Sequence, residues 1–491
     1  MAGLLPLALW VAGCSAVGPD FVKPVSGLEH ATLPARPDET GTGRFVTTAA
    51  PEQWWTLFQD DQLAHLQGRA QKGSLDLQLV AVRVEQSRAA LGIASAELLP
   101  SVGVGVGVSR HAVSEDGPLA ALGAPTRPEN LWHVGFDAAW ELDFWGRARR
   151  VREGAQATLQ AASYEHGAAR VALAAEVGRT YLRLRGTQAQ LDITEQNLLL
   201  ADRVLAIAES RERNGVASRF ETASARAQAA TLRASVPELM HRRNTLMKAL
   251  ALLVGEQPRA LDAQLRAAMP LPTLPGAVPV GLPSELARRR PDILSAEARL
   301  HAATAAIGVA RADFYPRVTL KGHVGAEAFE SSDLGHWGSR NFSIGPTIYL
   351  PIFQGGRLTQ RLALNEATQK AAALAYRKAV LQAWHEVDNA LDACGAEQRR
   401  HAELEAAHAQ NRLALQVAER GYQEGASDYV SVLTAQRGVL ASQSQLNVSA
   451  THGALALVNL YKALGSGWSP ADLAPTAVQE TLAATRLAPR P

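Results

Sequence analysis

The sequence is poor in cysteine, in aromatic residues and in net charge of either sign. Two cysteines, Cys14 and Cys394, in 491 residues cannot build a disulfide framework. Aromatics make up only 5% of the chain, which argues against a large sandwich core. Alanine is abundant instead, pointing to long helices packed through small side chains. Lys plus Arg (49) nearly balance Asp plus Glu (47), for a formal charge of +2. That balance gives no argument for a nucleic-acid partner or an acidic surface. After Trp10 no apolar run approaches the ~18 residues that a membrane helix needs. Motifs of catalysis are lacking too. Gly103, Gly105 and Gly107 are spaced strictly by two with Val108 following, unlike a dinucleotide loop. His385-Glu386 has Asn389 where a zinc-protease helix needs its second histidine. No P-loop, nucleophile elbow or ligand-spaced histidine set is present, so no catalytic residue, metal site or cofactor is expected.

The amino terminus carries a short apolar run, Leu4 to Val11, followed by Ala12-Gly13-Cys14-Ser15. Small residues before a cysteine suit a lipobox, with residues 1–13 as signal segment and Cys14 as the acylated residue. An ordinary cleaved signal with Cys14 incidental is the alternative. No Lys or Arg precedes the run, which leaves the start codon open. Ser15, rather than Asp, favours outer-membrane sorting of such a lipoprotein. Residues 14–51 contain Pro19, Pro24, Pro34, Pro37 and Pro51, a composition that suits an extended tether from the anchor.

The remainder reads as a duplication. Asp76/Asp292, Arg83/Arg299, Gly92/Gly308 and Pro100/Pro316 coincide at an offset of 216 (316 − 100). Gly146/Gly356, Gly215/Gly425 and Gly255/Gly465 coincide at 210 (356 − 146). Each half, 52–270 and 280–468, carries a helix, a β-hairpin (101–143 and 317–351) and a long helical hairpin, with a flexible tail over 469–491.

Four segments alternate with period two, putting one face in oil and the other in water. Val102 to Val108 alternates with glycines, and Trp132 to Leu142 with His133, Asp137 and Glu141. Val318 to Val324 alternates with Thr319, Lys321 and His323, and Phe342 to Leu350 with Ser343 and Thr347. Aromatics gather at the ends: Trp140, Phe144, Phe314, Tyr315 and Phe353 at one, Trp132, Phe329, Trp337 and Phe342 at the other. Girdles of this kind mark membrane interfaces. A soluble antiparallel sheet packed on helices alternates equally well. Four strands cannot close a barrel, and open edges cannot face lipid. A membrane reading therefore requires several copies. Two would give eight strands, filled by their own side chains; three would give twelve and a conducting pore.

Residues 129–236 and 352–469 lack proline, so helices are expected from Gly146 to Arg213 and from Gly356 to Gln423. Each would be roughly 100 Å long at 1.5 Å per residue. They break at Gly215 and Gly425 and return over Ser218–Val254 and Asp428–Leu464. Leu184, Leu191, Leu198 and Leu205 keep heptad spacing.

Together these residues resemble the outer-membrane factor family, the TolC-type exit ducts, and its NodT-like lipoprotein branch serving RND-type efflux. The resemblance rests on Cys14-Ser15, Trp54-Trp55 with Phe58 and Asp60, Glu141 to Arg147, and Arg290-Pro291-Asp292-Ile293 with Ala296-Glu297. It continues through Ile307-Gly308, Phe314-Tyr315-Pro316, Pro351-Ile352-Phe353 with Gly355-Gly356-Arg357, and Gly421-Tyr422 with Gly425 and Tyr429. It implies an α+β chain of coiled-coil hairpins and four transmembrane strands, three copies closing a twelve-stranded barrel and a helical tunnel. It implies a Gram-negative outer-membrane duct, lipid-anchored and reaching into the periplasm, where it meets a periplasmic adaptor (membrane fusion protein) and an inner-membrane pump. It implies a tip gate in which Tyr422 links to Glu221. Positions six and nine after Gly425, acidic in some relatives, are Ser431 and Thr434 here, with Asp428 as the nearby acid. Gly215, Val216, Ala217, Ser218, Gly425, Ala426 and Ser427 would meet the adaptor. The rival reading is a non-conducting periplasmic scaffold or adaptor of helical hairpins, which would not need two-faced strands.

Overall fold

The computed structural model describes residues 16–25, 45–124, 126–216, 218–281 and 286–469. Cys14 and the rest of the signal segment, Ala217, residues 26–44 of the expected tether and 470–491 of the expected tail lie outside the described residues. In chain order the main elements are β1 (Phe45–Val46), α1 (Asp61–Gly73), α2 (Leu75–Ala96), β2 (Ser101–His111), β3 (Glu129–Leu142), α3 (Arg147–Arg213), α4 (Arg219–Leu253) and β4 (Val278–Pro279). Then come α5 (Pro291–Ala312), β5 (Arg317–Ala328), β6 (Arg340–Tyr349), α6 (Arg357–Gln423) and α7 (Tyr429–Ala463). Helices α2 and α5 have 22 residues each, α3 and α6 have 67, and α4 and α7 have 35. The change of offset from 216 to 210 falls in the hairpins: residues 112–128 connect β2 to β3, whereas the shorter 329–339 connects β5 to β6.

The chain divides into two compact units. The first comprises Met1–Pro24, Arg83–Ala162 and Ser295–Tyr376. Its centre is a four-stranded antiparallel sheet in the order β2-β3-β5-β6. The strands outrun the alternating segments by a few residues, because β2 and β3 stay paired to His111↔Glu129. At the base of the sheet Gly146 takes φ +79°, the left-handed turn that only glycine adopts freely. Asp143 then receives the amides of Ala148 (3.0 Å) and Arg149 (2.9 Å), capping the start of α3. Nearby, buried Asp313 gathers three guanidinium groups: Arg317 at 2.6 Å, Arg147 at 3.3 Å and Arg361 at 3.4 Å. The described start of the expected tether is docked on this unit. Val17 donates to the Trp145 carbonyl (2.9 Å), Arg150 reaches Asp20 (2.7 Å), Phe21 stacks on His301 (4.4 Å) and Lys23 pairs with Glu297 (3.0 Å).

The second unit comprises Val25–Val82, Ser163–Leu294 and Arg377–Pro491. Trp54, fully buried, stacks on Tyr461 (6.0 Å) and meets Trp55 and Phe58 edge-on. Gly178 is obligatory here, since a Cβ would lie 2.6 Å from the Trp54 ring. Asp60 caps α1 through the Leu63 amide (2.9 Å) and accepts the Tyr181 hydroxyl at 2.6 Å. Burial, then that carboxylate, pushes the Tyr181 phenol above its ordinary pKa. Arg185, with no exposure, spreads its charge over Gln188, the Ala267 carbonyl and Gln62, beneath the Tyr181 ring. Arg290 is held by Asp292, Glu386 and the Ala463 carbonyl, each reached at 2.7 Å. The helical hairpins use a row not anticipated from the leucines. Thr187, Thr194, Ala201 and Ala208, also spaced by seven, are all buried, whereas Leu198 and Leu205 are half-buried. Small side chains on this row face α4, where Ala225 and Ala229 are buried and the Thr222 hydroxyl donates to the Ala208 carbonyl (3.5 Å).

Candidate functional site

The sheet of the first unit has two faces of opposite character. One register row runs Val104↔Phe136↔Val324↔Phe342 across all four strands. These side chains are 62%, 56%, 57% and 77% exposed. An apolar stripe of that extent on a protein surface marks contact with lipid or with another chain. The adjacent row, on the opposite face, runs Gly103↔Asp137↔His323↔Ser343. There the His323 ring bridges Asp137 (2.9 Å) and Asn341 (3.2 Å), and Asn341 donates to Glu327 (3.2 Å). A glycine row, Gly105↔Gly135↔Gly325, lies beside it. It makes room for the imidazole, because a Cβ on Gly135 would sit 2.7 Å from its Cε1. This face is polar and wettable; the other is not. Among the described residues, strands β2 and β6 each have a strand neighbour on one side only. Exposed aromatics mark the strand ends: Trp140, Phe144, Trp145, Phe314, Tyr315 and Phe353 at the base, Phe329, Trp337 and Phe342 at the far end. Sequence alternation had located both faces. It had not located the Asp137–His323–Asn341–Glu327 chain or the Asp313 cluster, which depend on register and on residues distant in sequence.

The helical hairpins of the second unit carry the expected tip residues. Gly215 and Gly425 take φ +73° and +75°. Val216 bonds back to Arg211 (2.9 Å) and Gly215 to Glu212 (2.9 Å), and Ala426 bonds to Gly421 (2.8 Å) and Gly425 to Tyr422 (3.2 Å). Both are Schellman caps, which require a left-handed residue at that place. Ser218 and Glu221 form a reciprocal capping box that starts α4. Asp428 starts α7, accepting the Ser431 amide (2.9 Å) and hydroxyl (2.6 Å). These hydrogen bonds, the hydroxyl first, hold the Asp428 carboxyl below its ordinary range. Thr434 bonds back to the Val430 carbonyl (2.8 Å) and Ser427 to that of Ala418 (3.4 Å). Tyr422 is half-buried, its ring 5.2 Å from the Arg211 guanidinium, which joins the end of α3 to the end of α6. Val216, Ser218, Gly425, Ala426 and Asp428 are exposed. No helix among the described residues is long and apolar enough to cross a membrane.

Comparison with known proteins agrees with this geometry. The outer membrane efflux protein family model matches residues 66–256 and 282–466. A pyoverdine export outer membrane protein of Pseudomonas putida, OpmQ, is 32% identical over 467 residues, covering 95% of this chain and 97% of its own. The toluene efflux pump outer membrane protein TtgI, also of Pseudomonas putida, is 32% identical over 464 residues, covering 94% and 97%. The solved structure of the outer-membrane channel OprN superposes with a TM-score of 0.85 at 32% identity, covering 92% of this chain and 100% of that one. The relatives are membrane channels and efflux components, so the scaffold reading draws no support from them. With two-faced strands, capped helical hairpins and matches in both halves, the chain belongs to the outer membrane efflux protein family.

Proposed function

We propose that the chain is the outer-membrane channel of a tripartite RND-type efflux system, a passive conduit that three copies form together. The observation that carries this is the four-stranded sheet, apolar and exposed on one face, polar on the other, with two open edges. In hydrocarbon, unpaired edge groups cost several kcal/mol each, so β2 of one copy must pair with β6 of the next. Exposed Leu381, Leu413 and Val417 on α6 suit burial against a further copy as well. The equal helix lengths support an internal duplication, with each half contributing one β-hairpin and one helical hairpin.

Lipidation at Cys14 is supported by the docked start of the described chain. Val17 bonds to Trp145, within the basal aromatic cluster. Cys14 lies three residues earlier in the sequence. An acyl chain there would enter the membrane at the level of the aromatics. The hairpin tips, Gly215–Ser218 and Gly425–Ser427, are exposed backbone turns suited to a periplasmic adaptor, which in turn meets the inner-membrane pump. Gating would use Tyr422, whose hydroxyl donates to Glu221 in the closed state, with Asp428, Ser431 and Thr434 setting a weakly acidic tip. The duct performs no chemistry of its own in this account. Relatives named for pyoverdine and for toluene are each 32% identical to this chain, so identity does not select a cargo.

Reconstitution in a planar bilayer tests the reading. Discrete ion-conducting steps from material that needs detergent to stay dispersed are expected. A detergent-free soluble protein with no conductance would return the non-conducting scaffold.

A further inference from the structure

A single chain of side-chain hydrogen bonds crosses three strands on the polar face of the sheet. The His323 ring on β5 meets Asp137 of β3 through Nδ1 (2.9 Å) and the Asn341 Oδ1 of β6 through Nε2 (3.2 Å). The Asn341 Nδ2 donates to Glu327 (3.2 Å). The polarity of this chain is forced from its two ends. A carboxylate only accepts, so Nδ1 carries the proton that Asp137 receives, and the Asn341 amide turns its Nδ2 to Glu327. The amide oxygen, a further acceptor, is thereby set against Nε2. All links are made at once only when both ring nitrogens carry a proton, which is the imidazolium. With one proton removed, Nε2 faces a carbonyl oxygen, or the amide reverses and sets that oxygen against Glu327. Each arrangement loses a hydrogen bond and opposes two acceptors.

Solvent reaches the ring: the His323 side chain is 35% exposed and that of Asp137 68%. A depression of about 550 Å³ beside it is lined by Ser101, Gly103, Asp137, Lys321, His323 and Ser343. Strand β2 brings no charge here, since Gly103, Gly105 and Gly107 occupy this face. Strand β3 brings His133, Asp137 and Glu141, strand β5 brings Lys321 and Glu327, and β6 brings the neutral Asn341 and Ser343. Around the ring itself, Asp137 and Glu327 offset Lys321 and a charged His323. Loss of the ring proton leaves that patch one charge negative.

We propose that the Asp137–His323–Asn341–Glu327 chain makes the ion preference of the channel proton-dependent. With His323 charged the patch is balanced; with His323 neutral it favours cations. The inference rests on the channel reading, in which the polar face lines the water-filled path. Three copies place three such patches around one lumen, so the wall changes by three charges. Histidine is the side chain whose ordinary titration falls between pH 5 and 8. Asp428 at the hairpin tip does not supply the same response, because its carboxyl is already ionised above its ordinary 3.8.

The test is the reversal potential of the full-length protein in planar bilayers, under a potassium chloride gradient at about 0.1 M. The cation-to-anion permeability ratio should rise about twofold between about pH 5.5 and 9, the effect of three unit charges acting across about one Debye length of water. His323→Gln, which keeps a polar side chain but does not titrate, should make the ratio flat over that range. His133→Gln, the other histidine on this part of the face, should retain the rise. Conducting protein whose ratio ignores pH would overturn the proposal and leave the channel reading standing. So would a rise that survives His323→Gln or that disappears with His133→Gln instead. Protein that forms no conducting steps would overturn both.

Discussion

Tyr422 and Asp428 set the behaviour of the tip one residue at a time. If the Tyr422 hydroxyl links to Glu221 when the tip is closed, Tyr422→Phe removes about 1 kcal/mol of closure. Ion leak through bilayer-inserted protein should then rise several-fold; unchanged conductance would remove the link from the account. Asp428 makes a prediction in pH. Its folded-state pKa lies below the ordinary 3.8 because the charged form accepts from Ser431. The cap therefore stabilises α7 fully above that ordinary value and is lost as pH falls through the depressed one. Amide exchange at Val430–Leu433 should accelerate below about pH 4, relative to the intrinsic rate, and Asp428→Asn should flatten that response. Of these residues the sequence revealed position but not engagement. Asp428 and Ser218 stand where a helix must restart, which a reader of caps can see. The placing of Tyr422 against Arg211 joins residues 211 apart (422 − 211), and no local pattern encodes that.

Elements follow local rules more closely, and here reading and structure nearly coincide. Terminal glycines, small polar caps and, for α3, α6 and α7, the absence of proline bounded the four long helices to within a residue. Pro237 inside α4 is the one proline these helices accommodate. Period-two alternation gave the strands but underestimated β2, β3 and β5, because pairing continues past the alternating segments. Of the leucines at heptad spacing in α3, Leu184 and Leu191 are buried and Leu198 and Leu205 half-buried. The buried row is shared with Thr187, Thr194, Ala201 and Ala208, since close helix approach selects size, not hydrophobicity. The glycines of the hairpins provide the test at this scale. Gly215 has open space where a Cβ would go, so Gly215→Ala should cost only the left-handed backbone, about 1–2 kcal/mol. Gly255 has the same conformation, yet its Cβ would meet the Gly73 carbonyl oxygen at 2.1 Å. Gly255→Ala should therefore lower the thermal midpoint distinctly more than Gly215→Ala. Equal losses would mean that this close approach is not maintained.

For the whole molecule the decisive feature is incompleteness. A four-stranded sheet has an exposed apolar face, and among the described residues β2 and β6 have a strand neighbour on one side only. Alternation along the strands carries this in the sequence itself. What stayed hidden was that β3 and β5, from different halves, pair continuously from Trp132↔Ala328 to Leu142↔Val318, so that the two hairpins form one sheet. In the proposed trimer, three such sheets would give a wall of twelve strands, wide enough for a water-filled lumen where eight are not. Native mass spectrometry of the protein released from detergent micelles tests this most directly. The account predicts three copies per particle, persisting until heat or denaturant dissociates them. A stable single copy, or a pair, in the membrane-inserted state would contradict it.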